Sequence, residues 1–477
     1  MSQLDKTEKL GGTLAVTNTE LFATTSRTYF ALKALFIAIL AVLGQSNAAQ
    51  ALDAFPGAAG HGSQTQGGRG GDVLFVTNLQ DSGPGSFRAC AERTGKRNCL
   101  FRVGGIIHLK KPIGILAGNS NLSVLGQSAP GGGITLTIDP QNKSPFKTPF
   151  YIKDAHDVLV RHLRVRLQYA GTVRNADAFT VETSQRVYID HVSGSWATDE
   201  VISTYQNATD LTIAYSIFGE GIMPHSKCAL LGSNPTQPQN ITFWRNACVS
   251  NNDRNPDNHH LKGSCVEIAN NIFFNARSEW AEVFSQYQGG IPVSFLNNYF
   301  KAGKNTSKST YAIIWQDIES VAIPTIFQKG NVTWAPKPKT IELFEPQLAH
   351  LLVTEPPCLN LLPLNSAEDA YKDVRINAGA FPRDAVDTRL IHEIGSIGRK
   401  GDGSIKTVPG EIPAVQINTN AYADRDDDGI ADANEKQFGG NDSTFDSWSD
   451  FNNDGWSNFD EFMQWLSEER IAGRYPK

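Results

Sequence analysis

The chain has 477 residues, 40% of them hydrophobic, with 42 Gly, 23 Pro and only 3 Met. That length can bury a large core and more than one folded unit, and the composition excludes a disordered polymer and a helical bundle. The net charge of −6 is uneven: residues 424–461 hold twelve acids against two bases, and the remaining body is slightly basic, a balance suited to bound cations and an anionic substrate, with no nucleic acid expected as partner.

At the N-terminus, Arg27 and Lys33 precede "ALFIAILAVL", and "AAQA" offers small residues for cleavage after Ala51. A ten-residue apolar run is too short to span a bilayer. Residues 1–51 are therefore expected to be a signal peptide, and the mature protein to be secreted, without a membrane span. Six cysteines fit an oxidising compartment. Cys90 and Cys99 flank "AERTGKRN" and are expected to pair; Cys228, Cys248, Cys265 and Cys358 leave three connectivities open. Upstream of that loop, "GGRGG" lacks the Lys-Ser/Thr ending of a phosphate loop and reads as tight turns.

From residue 158 a pattern returns: "VLVRHLRV", "VYIDHVSG", "LTIAYSIF", "ITFWRNAC", "VEIANNIF" and "VSFLNNYF", starting at 158, 187, 211, 241, 266 and 293. Each unit opens with apolar residues two apart, as a strand does. One such strand cannot bury its inner face, whereas stacked coils bury it against one another. The expected fold is all-β, a right-handed single-stranded parallel β-helix; the Leu spacing of leucine-rich repeats is missing, and a propeller needs longer units with hairpins. Ser216, Asn246, Asn271 and Asn298 share one offset and read as a structural amide ladder between coils. Within this region "ACVSNNDRNPDNHH" closes a strand and then carries a single arginine, Arg254, before Pro256. By itself it is an ordinary polar loop.

Beyond the repeats, "AEDAYKDVRINAGAFPRDAVDTRLIHEI" is expected to be partly helical and to pack on the solenoid. "GRKGDGSIKTVPGEIPAV" reads as a linker. The expected organisation is a main domain over 52–400, a linker over 401–423 and a small calcium module over 424–477. In that module "DRDDDGIADANE" places Asp424, Asp426, Asp428, Asp432 and Glu435 at loop positions 1, 3, 5, 9 and 12. "DFNNDGWSNFDE" does the same with Asp450, Asn452, Asp454, Asn458 and Glu461. Alternating oxygen donors, a Gly at the sharp turn and a closing Glu are what a Ca2+ loop needs. The loops resemble thrombospondin type 3 or dockerin-like repeats; a dockerin would imply a cohesin-type partner. "FDEFMQWLSEER" is expected to be the closing helix.

"AFPGAAGHG", "GGRGG", "DSGPGSFR", "DAF…VYIDH", "ATDEV", "KCALLG", "RNP" and "AYKDV…AGAFPRDAVDTRLI" follow in order. Together they resemble the pectate lyase family, polysaccharide lyase family 1, over roughly Ala54 to Ile397. The resemblance implies a secreted, monomeric, calcium-dependent enzyme that cleaves (1→4)-α-D-galacturonan by β-elimination, leaving 4,5-unsaturated oligogalacturonides.

The resemblance also assigns roles. Asp177, thirteen residues before the aspartate of "YIDH", matches a metal ligand. "TDEVIS" supplies Asp199 as a second and puts Ser203 where a further acid is expected; Glu200 adjoins, although neighbours along a strand face opposite ways. Lys227 matches the lysine that contacts the substrate carboxylate, and Arg254 the arginine that acts as base. A guanidinium is a reluctant base, and crowding by Lys227 and calcium, with bound substrate excluding water, is expected to lower its pKa. His259 stands where a substrate-binding arginine is familiar, and Asp257 where another base is. Ser203 and His259 leave two alternatives: a lyase for methylated pectin or another uronan, and a carbohydrate-binding β-helix without turnover.

Overall fold

The computed structural model describes residues 52–142, 146–168, 174–277, 280–284, 291–316, 323–396 and 403–474. The expected signal peptide lies outside the described residues. The expected β-helix is observed: three parallel sheets of ten, nine and nine strands, in which each strand pairs with its counterpart one coil away. One coil runs Gln185–Asp190 in sheet 1, Ser193–Ser195 in sheet 2 and Glu200–Tyr205 in sheet 3. Val158, Val187, Leu211, Ile241, Val266 and Val293 are successive register partners in sheet 1. These are the residues at which the sequence repeats begin.

The connection from sheet 1 to sheet 2 is a two-residue turn. Its first residue lies in the left-handed region at His191 (φ 50°), Tyr215 (47°), Arg245 (56°), Asn270 (53°) and Asn297 (51°). Such backbone is unfavourable for non-glycine residues and persists where the surroundings enforce it. The enforcement comes from the second turn residue. The N–H of Ser216, Asn246, Asn271 and Asn298 donates to the side-chain oxygen of the next coil's Asn246, Asn271, Asn298 and Asn331 at 2.8–3.0 Å. Each amide nitrogen from Asn246 onward donates back to a strand carbonyl: Ile213, Phe243, Ile268 and Phe295. The ladder is fully buried over Ser216, Asn246, Asn271 and Asn298, so every unpaired group there would be left without water.

The inner faces form one apolar column that includes Val124, Val158, Val187, Ile213, Phe243 and Ile268. Alternate residues of sheet 1, such as Leu125, Leu159, Tyr188 and Trp244, face outward into a second apolar cluster. That cluster is completed by Ile430, Phe459, Phe462, Met463 and Leu466, so residues 424–474 cover sheet 1. The closing helix spans Asn458–Ile471 and is N-capped by Ser457. Helices Ala367–Asn377 and Ala385–Gly395 account for the expected helical stretch. Buried Arg166 on sheet 2 anchors the second of them, reaching Asp384 at 2.8 Å and Asp387 at 2.7 Å. The stretch from residue 403 runs along the solenoid, with Lys406 bridged to Ile222 and Asn418 to Gly104.

Disulfides join Cys90 to Cys99, Cys228 to Cys248 and Cys265 to Cys358. The "GGRGG" turns run so close to the next strand that a Cβ on Gly68 would sit 1.9 Å from the Arg97 carbonyl oxygen.

Asn271→Ala would strand the Asn246 N–H and the Phe243 carbonyl in a dry interior. We expect it to lower the unfolding free energy by roughly 2–4 kcal/mol, read from the urea midpoint. A loss below about 0.5 kcal/mol, the range of ordinary surface sites, would deny the ladder its structural role.

Candidate active site

The loops from sheet 2 to sheet 3 vary in length, and they deliver charged residues to the edge where the sheet 3 strands begin. Glu200 opens Glu200–Tyr205, Lys227 opens Lys227–Leu231, and the two are register partners. Lys227 is bridged in turn to Asp253, next to Arg254. Asp177 stands two residues before the strand Phe179–Glu182. Its loop is tied to that of Asp199, since the N–H groups of Thr198 and Asp199 donate to the Ala176 carbonyl at 2.9 and 3.2 Å. The N–H groups of Cys228 and Ala229 donate to the Arg254 carbonyl at 3.2 and 3.0 Å, and the Cys228–Cys248 disulfide ties the coil of Lys227 to that of Arg254. Four successive coils thus set Asp177, the Asp199–Glu200 pair, Lys227 and Arg254 in one row.

Asp177, Asp199 and Glu200 each offer a carboxylate oxygen within 4.8 Å of the other two. Lys227 Nζ is 3.0 Å from Asp199 Oδ1 and 3.7 Å from Glu200 Oε1. Arg254 Nη1 is 2.5 Å from Glu200 Oε1, and its Nε is 3.1 Å from Asp257 Oδ2. Ser203 is buried, and its hydroxyl lies 3.4 Å from Glu200 Oε2 and also hydrogen-bonds the Asp177 carboxylate. His259 is also buried, with Nε2 3.5 Å from Asp257 Oδ1. Glu200 is the residue that spacing alone passed over. Asp199 sits in the turn and Glu200 is the first strand residue, so the alternation that separates strand neighbours does not yet apply between them.

The electrostatics follow from this crowding. Burial, then the neighbouring carboxylates of Glu200 and Asp199, push the Asp177 carboxyl well above its usual range. Burial and Asp199 also push Glu200 up, against the pull of Arg254 and Lys227. Burial draws the pKa of Arg254 down, but Asp257 and Glu200 more than offset this and raise it above the ordinary arginine value. The two contacting carboxylates outweigh any effect of nearby Lys227. Three anionic oxygens with no nitrogen or sulfur donor among them suit a hard divalent cation such as Ca2+, and the raised carboxyl values are what such a cation would relieve.

The acidic tail makes a second assembly, on sheet 1. Asp424, Asp426 and Asp428 lie within the same 4.8 Å limit, as do Asp428, Glu435 and Asp446. Burial, then neighbouring acids led by Asp428, push Glu435 up to about 8. Burial likewise takes Asp424 to about 6, against the pull of Arg102. Asp432 is not in either group; its Oδ1 accepts the Arg425 N–H at 2.9 Å. In the second loop, Asp450 accepts from Gly455 N, Asn452 from Asp454 N and Asp454 from Trp456 N at 2.9–3.0 Å. Glu461 accepts from the Asn452 amide at 3.0 Å, and Asn458 accepts from Phe451 N at 3.2 Å.

A parallel β-helix with carboxylates and cations in a row on one strand edge is the architecture of a polysaccharide lyase. The chain is 30% identical over 418 residues to a probable pectate lyase C of Aspergillus fumigatus, covering 84% of this chain and 91% of that protein. It is 31% identical over 428 residues to one of Neosartorya fischeri, covering 84% and 91%. The crystal structure of jun a 1, the major allergen from cedar pollen, shares the fold at 20% identity and a TM-score of 0.50, covering 68% of this chain and 92% of that one. No family model matches the chain. The chain belongs to the pectate lyase family.

Asp177 supplies a test of the electrostatics. Its folded-state pKa is raised, so the folded protein holds a proton that the unfolded chain releases, and stability falls as pH rises above the unfolded value of about 3.9. In chelator, Asp177→Asn should therefore melt higher than wild type at pH 7, with the difference shrinking toward pH 4. A difference that stays constant with pH would show that Asp177 does not carry this strain.

Proposed function

We propose that the enzyme cleaves (1→4)-α-D-galacturonan by calcium-dependent β-elimination, with Asp177, Asp199 and Glu200 as the metal ligands. The observation that carries this reading is the acidic trio standing in one row with Lys227 and Arg254. The same reading takes residues 1–51 as an export signal, 52–400 as the catalytic unit, 401–423 as a linker and 424–477 as a calcium-binding segment of a secreted monomer.

β-Elimination takes the proton from C5 of a uronate, forms the C4–C5 double bond and expels the glycosidic oxygen from C4, which then takes up a proton. The C5 proton is weakly acidic because the adjacent carboxylate is already negative. Calcium on the trio would supply positive charge against that carboxylate. The rest falls to this chain. Lys227, released from Asp199, pairs with the uronate carboxylate and fixes the sugar ring. Arg254 is assigned as the base at C5. In the free enzyme it is held protonated by Glu200 and Asp257, a resting state rather than a reactive one. Glu200 Oε1 cannot serve Arg254 and a metal equally, so engaging the trio withdraws one of the two carboxylates that keep the guanidinium charged. Asp257 stays behind Nε and orients it; His259, against Asp257, supports that orientation and completes the substrate-facing row. The third carboxylate from Glu200, beside Ser203, favours pectate over methylated pectin, whose esters have no charge to neutralise.

The test is ultraviolet absorbance of the unsaturated product from polygalacturonate, with calcium and with chelator. Wild type should give a calcium-dependent rise whose rate climbs by up to about tenfold per pH unit on the alkaline side, as expected when the active form is the minor deprotonated one. Arg254→Ala should lose at least about 100-fold. No product from pectate by a folded protein would sink the reading; product from methylated pectin alone, indifferent to chelator, would replace it with the ester-specific alternative.

A further inference from the structure

The tail acids converge as their loop spacing suggests at positions 1, 3, 5 and 12, and depart from it at position 9. Position 9 of that loop, Asp432, is turned to Arg425, with Oδ1 accepting its N–H and Oδ2 3.7 Å from its guanidinium. Asp446, eleven residues beyond the end of the loop, enters instead and shares the group formed with Asp428 and Glu435. Asp428 belongs to both groups, so five acids converge: Asp424, Asp426, Asp428, Glu435 and Asp446.

Several of the oxygens are stranded. Glu435 is 2% exposed and neither of its carboxylate oxygens has a hydrogen-bond partner. Asp428 is 0% exposed with Oδ2 unpartnered, and both oxygens of Asp426 and one of Asp446 are in the same condition. Among the described ion pairs, Arg102 reaches Asp424 at 3.1 Å, and none involves Asp426, Asp428, Glu435 or Asp446. Ionised carboxylates are not buried this way without a counter-charge.

We infer that these five acids bind one calcium ion, and that this ion locks the C-terminal helix onto sheet 1. The inference rests on reading the tail as a calcium-binding segment and is independent of the lyase chemistry on sheet 3. An all-oxygen donor set of this charge selects a hard divalent cation. The connections to the helix are short. Ser447, next to Asp446, donates its hydroxyl to the Asp428 carbonyl and accepts from Phe459 N at 3.0 Å. Ile430 and Ala431, inside the loop, share the outer apolar cluster with Leu100, Leu125, Phe459 and Phe462. The helix is then fixed to the solenoid by Asp460 to Arg69 at 2.9 Å, Ser467 to His162 at 2.7 Å and Arg470 to the Gln127 carbonyl at 2.9 Å. Without a cation, repulsion between Asp446 and the 424–428 loop acts directly on the junction that holds Phe459 in place.

The experiment uses the full mature chain and calcium itself as the probe. Thermal melts and limited proteolysis are run in calcium and in chelator on wild type, Asp446→Asn, Glu435→Gln, Asp432→Asn and Asp177→Asn, with calcium stoichiometry from calorimetry. Chelation should lower the wild-type melting temperature by several degrees and open the tail to cleavage. Asp446→Asn and Glu435→Gln should melt near the chelated wild type, lose most of the calcium response and bind one calcium fewer, while lyase activity in the cold is retained. Asp432→Asn and Asp177→Asn should keep the calcium-dependent protection of the tail. Loss of that protection in Asp432→Asn, or its retention in Asp446→Asn, would overturn the ligand set. Equal protease sensitivity of the wild-type tail with and without calcium would overturn the lock, whether or not the variants fold. Failure of the lyase reading would appear separately, as absent product with the tail response intact.

Discussion

A parallel strand of five residues satisfies neither its own backbone nor its own apolar face, so each coil of this solenoid depends on its register with the next. The buried amide stack from Ser216 to Asn331 sets that register from within. Because each side-chain amide accepts from the preceding coil's turn and donates to that coil's strand carbonyl, a slip of one residue would break several buried bonds at once. It would also turn the valine row outward. The irregular loops between sheets 2 and 3 can therefore differ in length without moving the strands they feed. Function can be placed on them because the ladder on the other side of the coil absorbs the cost of order.

The active-site row is a consequence of that register. Residues distant in sequence become neighbours by standing at the same position of successive coils: Glu200 is paired with Lys227, and Lys227 is bridged beside Arg254. The stacking that places like residues in line also places like charges in line. Asp177, Asp199 and Glu200 repel one another, and the molecule sets Lys227 and Arg254 against them. The five converging acids of the tail meet the same problem with less help, since among the described ion pairs only Arg102 reaches one of them, Asp424.

Much of the fold was legible because periodicity survives without an alignment. The repeat starts at Val158 through Val293 are the observed register partners, and the shared offset of Ser216, Asn246, Asn271 and Asn298 is the observed ladder. Asn331 escaped notice because the apolar pattern weakens after the sixth repeat. Of the site, Asp177, Asp199, Lys227 and Arg254 were picked out by the family resemblance, and they stand together in the structure. Glu200 was not, because whether adjacent residues face apart depends on where the strand begins, and sequence locates that boundary only to within a few residues. Asp446 was missed for a different reason: loop motifs count along the chain, whereas a ligand delivered by the following turn has no fixed offset. The pairing of Cys228 with Cys248 is likewise a contact between coils, and that of Cys265 with Cys358 ties a coil to the chain beyond the last strand, both invisible to counting. The direction of the Arg254 shift depends on two carboxylates, Glu200 and Asp257, whose approach only the coil stacking reveals.

The position of Glu200 bears on how such a site stays folded without its metal. Its Oε1 lies 2.5 Å from Arg254 and 3.7 Å from Lys227, so two side chains proposed to act on substrate neutralise the trio in the free protein. Lys227 and Arg254 oppose the charge of Asp199 and Glu200, while burial and these two carboxylates push the Asp177 carboxyl toward its protonated form. A divalent cation therefore does not enter an empty cage. On the proposed reading it would displace the molecule's own cations from the carboxylates and free them toward an anionic sugar. On the proposed reading, metal binding and arming of Lys227 and Arg254 are one electrostatic exchange, and the residue that couples them is the one carboxylate, Glu200, that touches both.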